Sequence, residues 1–133
     1  MRRGYARPKS NKYLNKKIEV DGIEFASKKE AKHYQELVLL LKSGEITDLQ
    51  LQVPYELIPA QKEPDTIGPK GGIKPGKTIE RSVVYIADFV YKDKFGRTVV
   101  EDVKGYKFGG AYSIFKIKKK LMLWRHGISV KEV

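Results

Sequence analysis

The chain has 133 residues, with 27 Lys and Arg against 16 Asp and Glu, a formal charge of +11, 41% apolar residues and no cysteine. That length suits one domain with a real core, and the apolar share argues against wholesale disorder. Without cysteine there is no disulfide scaffold, thiolate metal site or cysteine nucleophile. With only His33 and His126 as imidazoles, a bound metal must rely on oxygen ligands, which favours Mg2+ or Mn2+.

The charge is unevenly placed. Residues 1–17 hold seven basic side chains and residues 104–131 eight, and neither stretch has an acidic one. A field of this kind draws polyanions, so nucleic acid is the expected partner, with an anionic membrane surface or a merely basic soluble domain as alternatives. The start, MRRGYARPKSNKY, lacks the apolar run of a secretory signal, and nothing approaches the ~18 apolar residues of a membrane span. A cytoplasmic location with no membrane partner is the expectation.

Residues 1–16 read as a flexible basic arm, with Arg2, Arg3, Arg7 and Lys9 as candidate nucleic-acid contacts, and 17–133 as a single domain. Ile18, Val20, Ile23 and Phe25 flank Asp21-Gly22, which predicts a hairpin over 17–25. A helix is expected from Lys28 to Lys42. Ser27 is its cap, Glu30 completes a capping box, and Ala31, Tyr34, Leu37, Val38 and Leu41 form its apolar face. Residues 49–58 predict a strand that Pro54 assigns to an edge or a bulge. Residues 59–79, with four Pro and four Gly, predict a long loop or an extended hairpin. Their GPKGGIKPGK stretch lacks the GxxxxGK[ST] pattern, so no nucleotide cofactor is expected.

Strands are expected over 80–92 and 97–104, paired antiparallel across the Asp93–Gly96 turn. A second helix, 112–125, is predicted to pack through Ile114, Ile117, Leu121 and Trp124, leaving Lys116, Lys119 and Lys120 to meet nucleic acid. Ile128 to Val133 offers one more strand. The whole predicts an α/β or α+β fold, a mixed central sheet flanked by helices.

Strand alternation puts Asp88 on one face with Val84, Ile86 and Val90, and Tyr85, Ala87, Phe89 and Tyr91 on the other. Asp102 and Lys104, two apart, share a face on the next strand, and the turn brings Asp88 opposite about 101–102. Two carboxylates at one spot repel, and a divalent cation turns that repulsion into a site. The Val103 carbonyl could add a third oxygen, and Lys104 could orient an attacking water. The simplest alternative is an ion pair between Lys104 and Asp88 or Asp102. Glu30 has a double reading, as a capping residue and as an inward-facing carboxylate that reaches the metal directly or through water.

Glu30, Asp88 and Asp102-Val103-Lys104 resemble the pattern of the PD-(D/E)xK nuclease superfamily. FASKKEAKHYQEL, LQVPYEL, YIADFVY, VVEDVKG and FKIKKKLMLWRHGI resemble a family of small phage and prophage endonucleases similar to Holliday junction resolvases of the RecU and archaeal type. The resemblance spans about 18 to 133. It implies a restriction-endonuclease-like core, with Glu30, Asp88, Asp102 and Lys104 as catalytic and metal residues and Gln52 in support. Glu101 competes for the acidic position but falls on the wrong face. Ala87 stands where the name-giving proline would be. The implied activity is Mg2+- or Mn2+-dependent cleavage of DNA, by preference branched or junction DNA, by a homodimer in the host cytoplasm. The alternatives are a less selective duplex nuclease and a non-catalytic nucleic-acid-binding module.

Overall fold

The computed structural model describes residues 17–105 and 107–133. The basic arm 1–16, with Arg2, Arg3, Arg7 and Lys9, lies outside the described residues. The chain divides into two compact units, residues 1–36 and 37–133.

In the first unit, Ile18–Val20 (β1) pairs antiparallel with Ile23–Phe25 (β2). Between them Asp21 and Gly22 take φ of 52° and 76°, as a two-residue hairpin turn requires. Helix α1, Lys28–Lys42, begins where the Ser27 hydroxyl accepts the Glu30 N–H at 3.1 Å. That bond satisfies one of the donors a helix start leaves open. Ala31 and Tyr34 are buried, and the Tyr34 ring lies 5.0 Å from that of Phe25.

Within the second unit Leu37 is buried, whereas Leu39, Leu40 and Leu41 are exposed. The expectation for Leu41 is therefore corrected. The run from Leu37 to Leu41 is apolar at every position and encircles a full turn, so the spacing alone could not say which residues turn inward.

Ile46–Ile58 (β3) is a 13-residue strand paired antiparallel with Val83–Asp93 (β8). β8 pairs antiparallel with Thr98–Asp102 (β9), and Lys131–Glu132 (β10) lies parallel to β9. The sheet order is β10-β9-β8-β3. The fold is thus α+β with a mixed central sheet, and it matches a restriction-endonuclease-like core. Pro54 sits opposite Ile86 inside β3, tolerated because β3 is an edge strand.

Between β3 and β8 the chain folds back on itself in two short ladders. Gln61–Lys62 (β4) pairs with Thr78–Glu80 (β7), and Thr66–Ile67 (β5) pairs with Ile73–Lys74 (β6). Every strand residue of this hairpin is exposed. At Gly76 a Cβ would overlap the Glu63 carbonyl, so the two sides close up only around glycine.

Helix α2, Gly110–His126, ends at Gly127 in the left-handed conformation, whose N–H bonds to the Leu123 carbonyl at 3.0 Å. The core unites Leu57, Tyr85, Ala87, Val90, Val100 and Val130 with Phe115 and Met122 of α2. The expected packing face of this helix is corrected. Ile114, Ile117 and Trp124 are exposed, and Leu121 is only half-buried. α2 carries two apolar stripes, and the sheet selects the one whose Phe115 ring stands against Tyr85, 6.2 Å between centroids.

Candidate active site

The ladder between β8 and β9 ends at the pair Phe89 and Glu101, and Asp88 and Asp102 are the next residues along the two strands. There the strands fork. The Val133 N–H donates to the Asp102 carbonyl at 2.9 Å, and the Lys104 N–H donates to the Val133 carbonyl at 3.1 Å. β9 thus hands its backbone bonds to β10. The Val103 N–H, left on the β8 side, donates to Asp88 Oδ2 at 2.8 Å. Asp88 closes the mouth of the fork.

Gln52 approaches from the other side. Its φ is 53°, a left-handed value inside a strand, and its amide donates to Asp88 Oδ1 at 3.2 Å. Tyr85 and Ala87 share one core cluster with Val90. The β3–β8 pairing passes from Leu51 and Phe89 to Val53 and Ala87, stepping over Gln52 and Asp88.

Asp102 is 5% exposed. Its Oδ2 accepts the Tyr85 hydroxyl at 2.8 Å, and its Oδ1 meets Lys104 Nζ at 2.8 Å. The Lys104 ammonium also lies 3.6 Å from the centroid of the Phe115 ring, a cation–π contact. Glu101 is buried as well, but it takes the Tyr91 hydroxyl instead. The two adjacent acids therefore serve different surroundings.

Burial holds the Asp88 carboxyl above the usual carboxylate range, and the Asp102 charge pushes the same way. The Val103 N–H, the Gln52 amide and Lys104 pull against them. The Tyr85 hydroxyl is pushed far up by burial and by its bond to Asp102, so it stays a donor at any ordinary pH. The donor set is oxygen only, two carboxylates whose charges oppose each other. Among the described residues no three His, Cys, Asp or Glu side chains gather as a metal site. A two-carboxylate site still suits Mg2+, which commonly keeps waters and substrate phosphate oxygens in the rest of its shell.

Of the expected site residues, the structure brings together Asp88, Asp102, Lys104 and Gln52, with Val103 meeting Asp88 through its N–H. Glu30 belongs to the first unit. Lys119 pairs with Glu132 at 3.0 Å, and Lys116 lies 5.1 Å from the Tyr112 ring. With Lys120 they line a groove of their own, of about 340 Å3. Sequence reasoning missed Tyr85. Its signal was a hydroxyl in an apolar strand, which needs a partner when buried. It also passed over Lys118, whose Nζ donates to the Val84 carbonyl at 2.9 Å.

A family model described as "Protein of unknown function (DUF1064)" matches residues 10–130. The chain belongs to the DUF1064 family. The matched span takes in Gln52, Tyr85, Asp88, Asp102, Lys104 and all of α2, so the fork belongs to the DUF1064 domain itself. No curated protein and no solved structure matches the chain. Among the described residues, no helix is long and apolar enough to cross a membrane.

Proposed function

We propose that this DUF1064 protein is a metal-dependent endonuclease that hydrolyses DNA phosphodiester bonds, with branched or Holliday-junction DNA preferred over linear duplex. One observation carries the reading. Asp88 and Asp102 both lie just past the end of the β8–β9 ladder, near enough for the Asp102 charge to act on Asp88, with the Lys104 ammonium on Asp102. A purely structural role needs no second carboxylate there, because two adjacent negative charges cost free energy that one lysine only partly offsets.

Asp88 and Asp102 would hold Mg2+ or Mn2+, with the Val103 carbonyl, and with Glu30 directly or through water. Held there, a metal would supply Lewis acidity toward a phosphate oxygen and toward water. Lys104 orients the attacking water and offsets the charge that grows on phosphorus. Tyr85 fixes the rotamer of Asp102, and Gln52 with the Val103 N–H fixes that of Asp88. The chain's charge of +11 supports DNA as the partner, through Arg2, Arg3, Arg7, Lys9, Lys116, Lys119 and Lys120. The single domain 17–133, the homodimer and the cytoplasmic setting belong to the same proposal.

Asp88→Asn should abolish metal-supported cleavage and leave DNA binding at or above wild type, since one repulsive charge is gone. Four-way junctions and linear duplexes, each with Mg2+, Mn2+ or chelator, form the assay. Undiminished cleavage by Asp88→Asn would sink the assignment, and equal rates on both DNAs would leave a less selective nuclease. A second reading is favoured by the close Asp102–Lys104 pair, which by itself is an ordinary ion pair. It makes the protein a non-catalytic nucleic-acid-binding module. DNA binding without cleavage under any divalent metal would select it.

A further inference from the structure

An open groove of about 280 Å3 runs on from Asp102 and Lys104, between β8 and α2. Its β8 side is Val84, Tyr85 and Ile86. Its α2 side is Ala111, Ile114, Phe115 and Lys118, residues spaced to share one helix face. The ionised groups along it are one carboxylate and two ammoniums. Lys104 already has Asp102, at 2.8 Å. Lys118 is half-buried and spans the groove to the Val84 carbonyl at 2.9 Å, and among the described residues no carboxylate is paired with it. A carbonyl dipole stabilises an ammonium only in part, and a half-buried cation without a counter-charge suits an anionic ligand.

We propose that Lys118 anchors a phosphate of the cleaved strand next to the scissile one, along the groove that starts at Asp102 and Lys104. The inference rests on the nuclease reading and deepens it, by naming the residue that sets where the strand lies. Two observations support this. The lysines nominated from sequence, Lys116, Lys119 and Lys120, line the other groove, where Glu132 already meets Lys119. Only Lys118, of the α2 lysines, lines the groove that holds Asp102. The groove is otherwise apolar on both walls, through Ile86 and Ile114, each more than half exposed. Sugar and base edges fit such walls, while the phosphate between them needs a cation.

The test uses the full chain with Ca2+ or chelator in place of Mg2+, so that binding is read without cleavage. Junction oligonucleotides carry one neutral methylphosphonate at a time along the strand that is cut. Wild-type protein should lose about tenfold in affinity at one linkage beside the cut, as for other hydrogen bonds between charged groups. Lys118→Gln should lose about the same on unmodified DNA. It should show no further loss at that linkage, and the slope of log affinity against log salt should fall by about 0.9. Lys118→Arg should restore most of the affinity. In single-turnover cleavage with Mg2+, Lys118→Gln should raise the protein concentration needed for half-maximal rate, and Lys118→Arg should bring it most of the way back.

If Lys118→Gln binds as wild type does, or keeps the same methylphosphonate penalty, Lys118 does not touch that phosphate and the inference falls while the nuclease reading stands. The wild-type methylphosphonate scan needs no variant to fold. A flat profile beside the cut also overturns the inference. Absence of DNA binding by wild-type protein would remove the nuclease reading and this inference together.

Discussion

Asp88 is held at the fork by two donors, yet burial and the Asp102 charge keep its carboxyl above the usual range. The ionised form is therefore less favourable in the folded chain than in the unfolded one. Stability contributed by this group is fully present below the ordinary Asp value of about 4 and is lost as pH rises through the raised folded value. Asp88→Asn should accordingly raise the melting temperature of metal-free protein at neutral pH, and the gain should vanish in acid. Thermal melts across that range check the sign, and an unchanged or lower melting temperature at pH 7 would contradict it. On the proposed function, divalent metal should narrow the difference, because it would stabilise wild-type protein and not the variant. Tyr85→Phe removes the hydroxyl from a buried carboxylate oxygen and should cost about 1–3 kcal/mol in urea unfolding. It should also weaken metal-supported cleavage, since Asp102 loses one of its two fixed contacts. The acids and Lys104 were legible in the sequence because short-range spacing on one strand and one tight turn determined their neighbourhood. Tyr85 was not, because strict alternation sends it to the opposite face from Asp88. Its hydroxyl nevertheless reaches Asp102 Oδ2 at 2.8 Å, a long-range contact that spacing within one strand does not reveal.

Elements followed the sequence closely wherever a local signal ended them. Ser27 opens α1, Asp21-Gly22 turns the first hairpin and Gly127 stops α2. The faces of helices were less legible. α2 holds Ile114, Ile117, Leu121 and Trp124 at helical spacing, but the sheet takes Phe115 and Met122. Periodicity reports a stripe without reporting what it meets, and a helix with two stripes is ambiguous until the sheet is placed. Phe115→Ala and Met122→Ala should each cost about 2–5 kcal/mol, as buried truncations do, whereas Ile117→Ala and Trp124→Ala should stay within about 0.5 kcal/mol. Chemical denaturation of the four variants separates the two faces, and the reverse order would restore the face expected from sequence. The hairpin between β3 and β8 should fail on its own. Gly76→Ala forces a Cβ into the Glu63 carbonyl and should loosen amide-exchange protection over 61–80, leaving protection of β8 and β9 intact.

At the scale of the molecule, a charge of +11 makes any DNA complex sensitive to salt. Removing residues 1–16 takes away six basic side chains, and the slope of log affinity against log salt should fall by up to about 5. Titrations at several salt concentrations read this directly, and an unchanged slope would exclude the arm from the contact. The fold class was legible because elements of clear type came in a telling order. The parallel β10 was foreseen only as a strand, since pairing between residues 30 apart leaves no local mark. Trp124 carries a last consequence. It is the only tryptophan in the chain, and it is 79% exposed in the native state. Its indole already sits in water, so its emission should barely redden when the protein melts, and acrylamide should quench it almost equally before and after. An observer following intrinsic fluorescence would miss the unfolding that circular dichroism records. The same light would instead brighten, dim or shift when some other molecule comes to lie against α2.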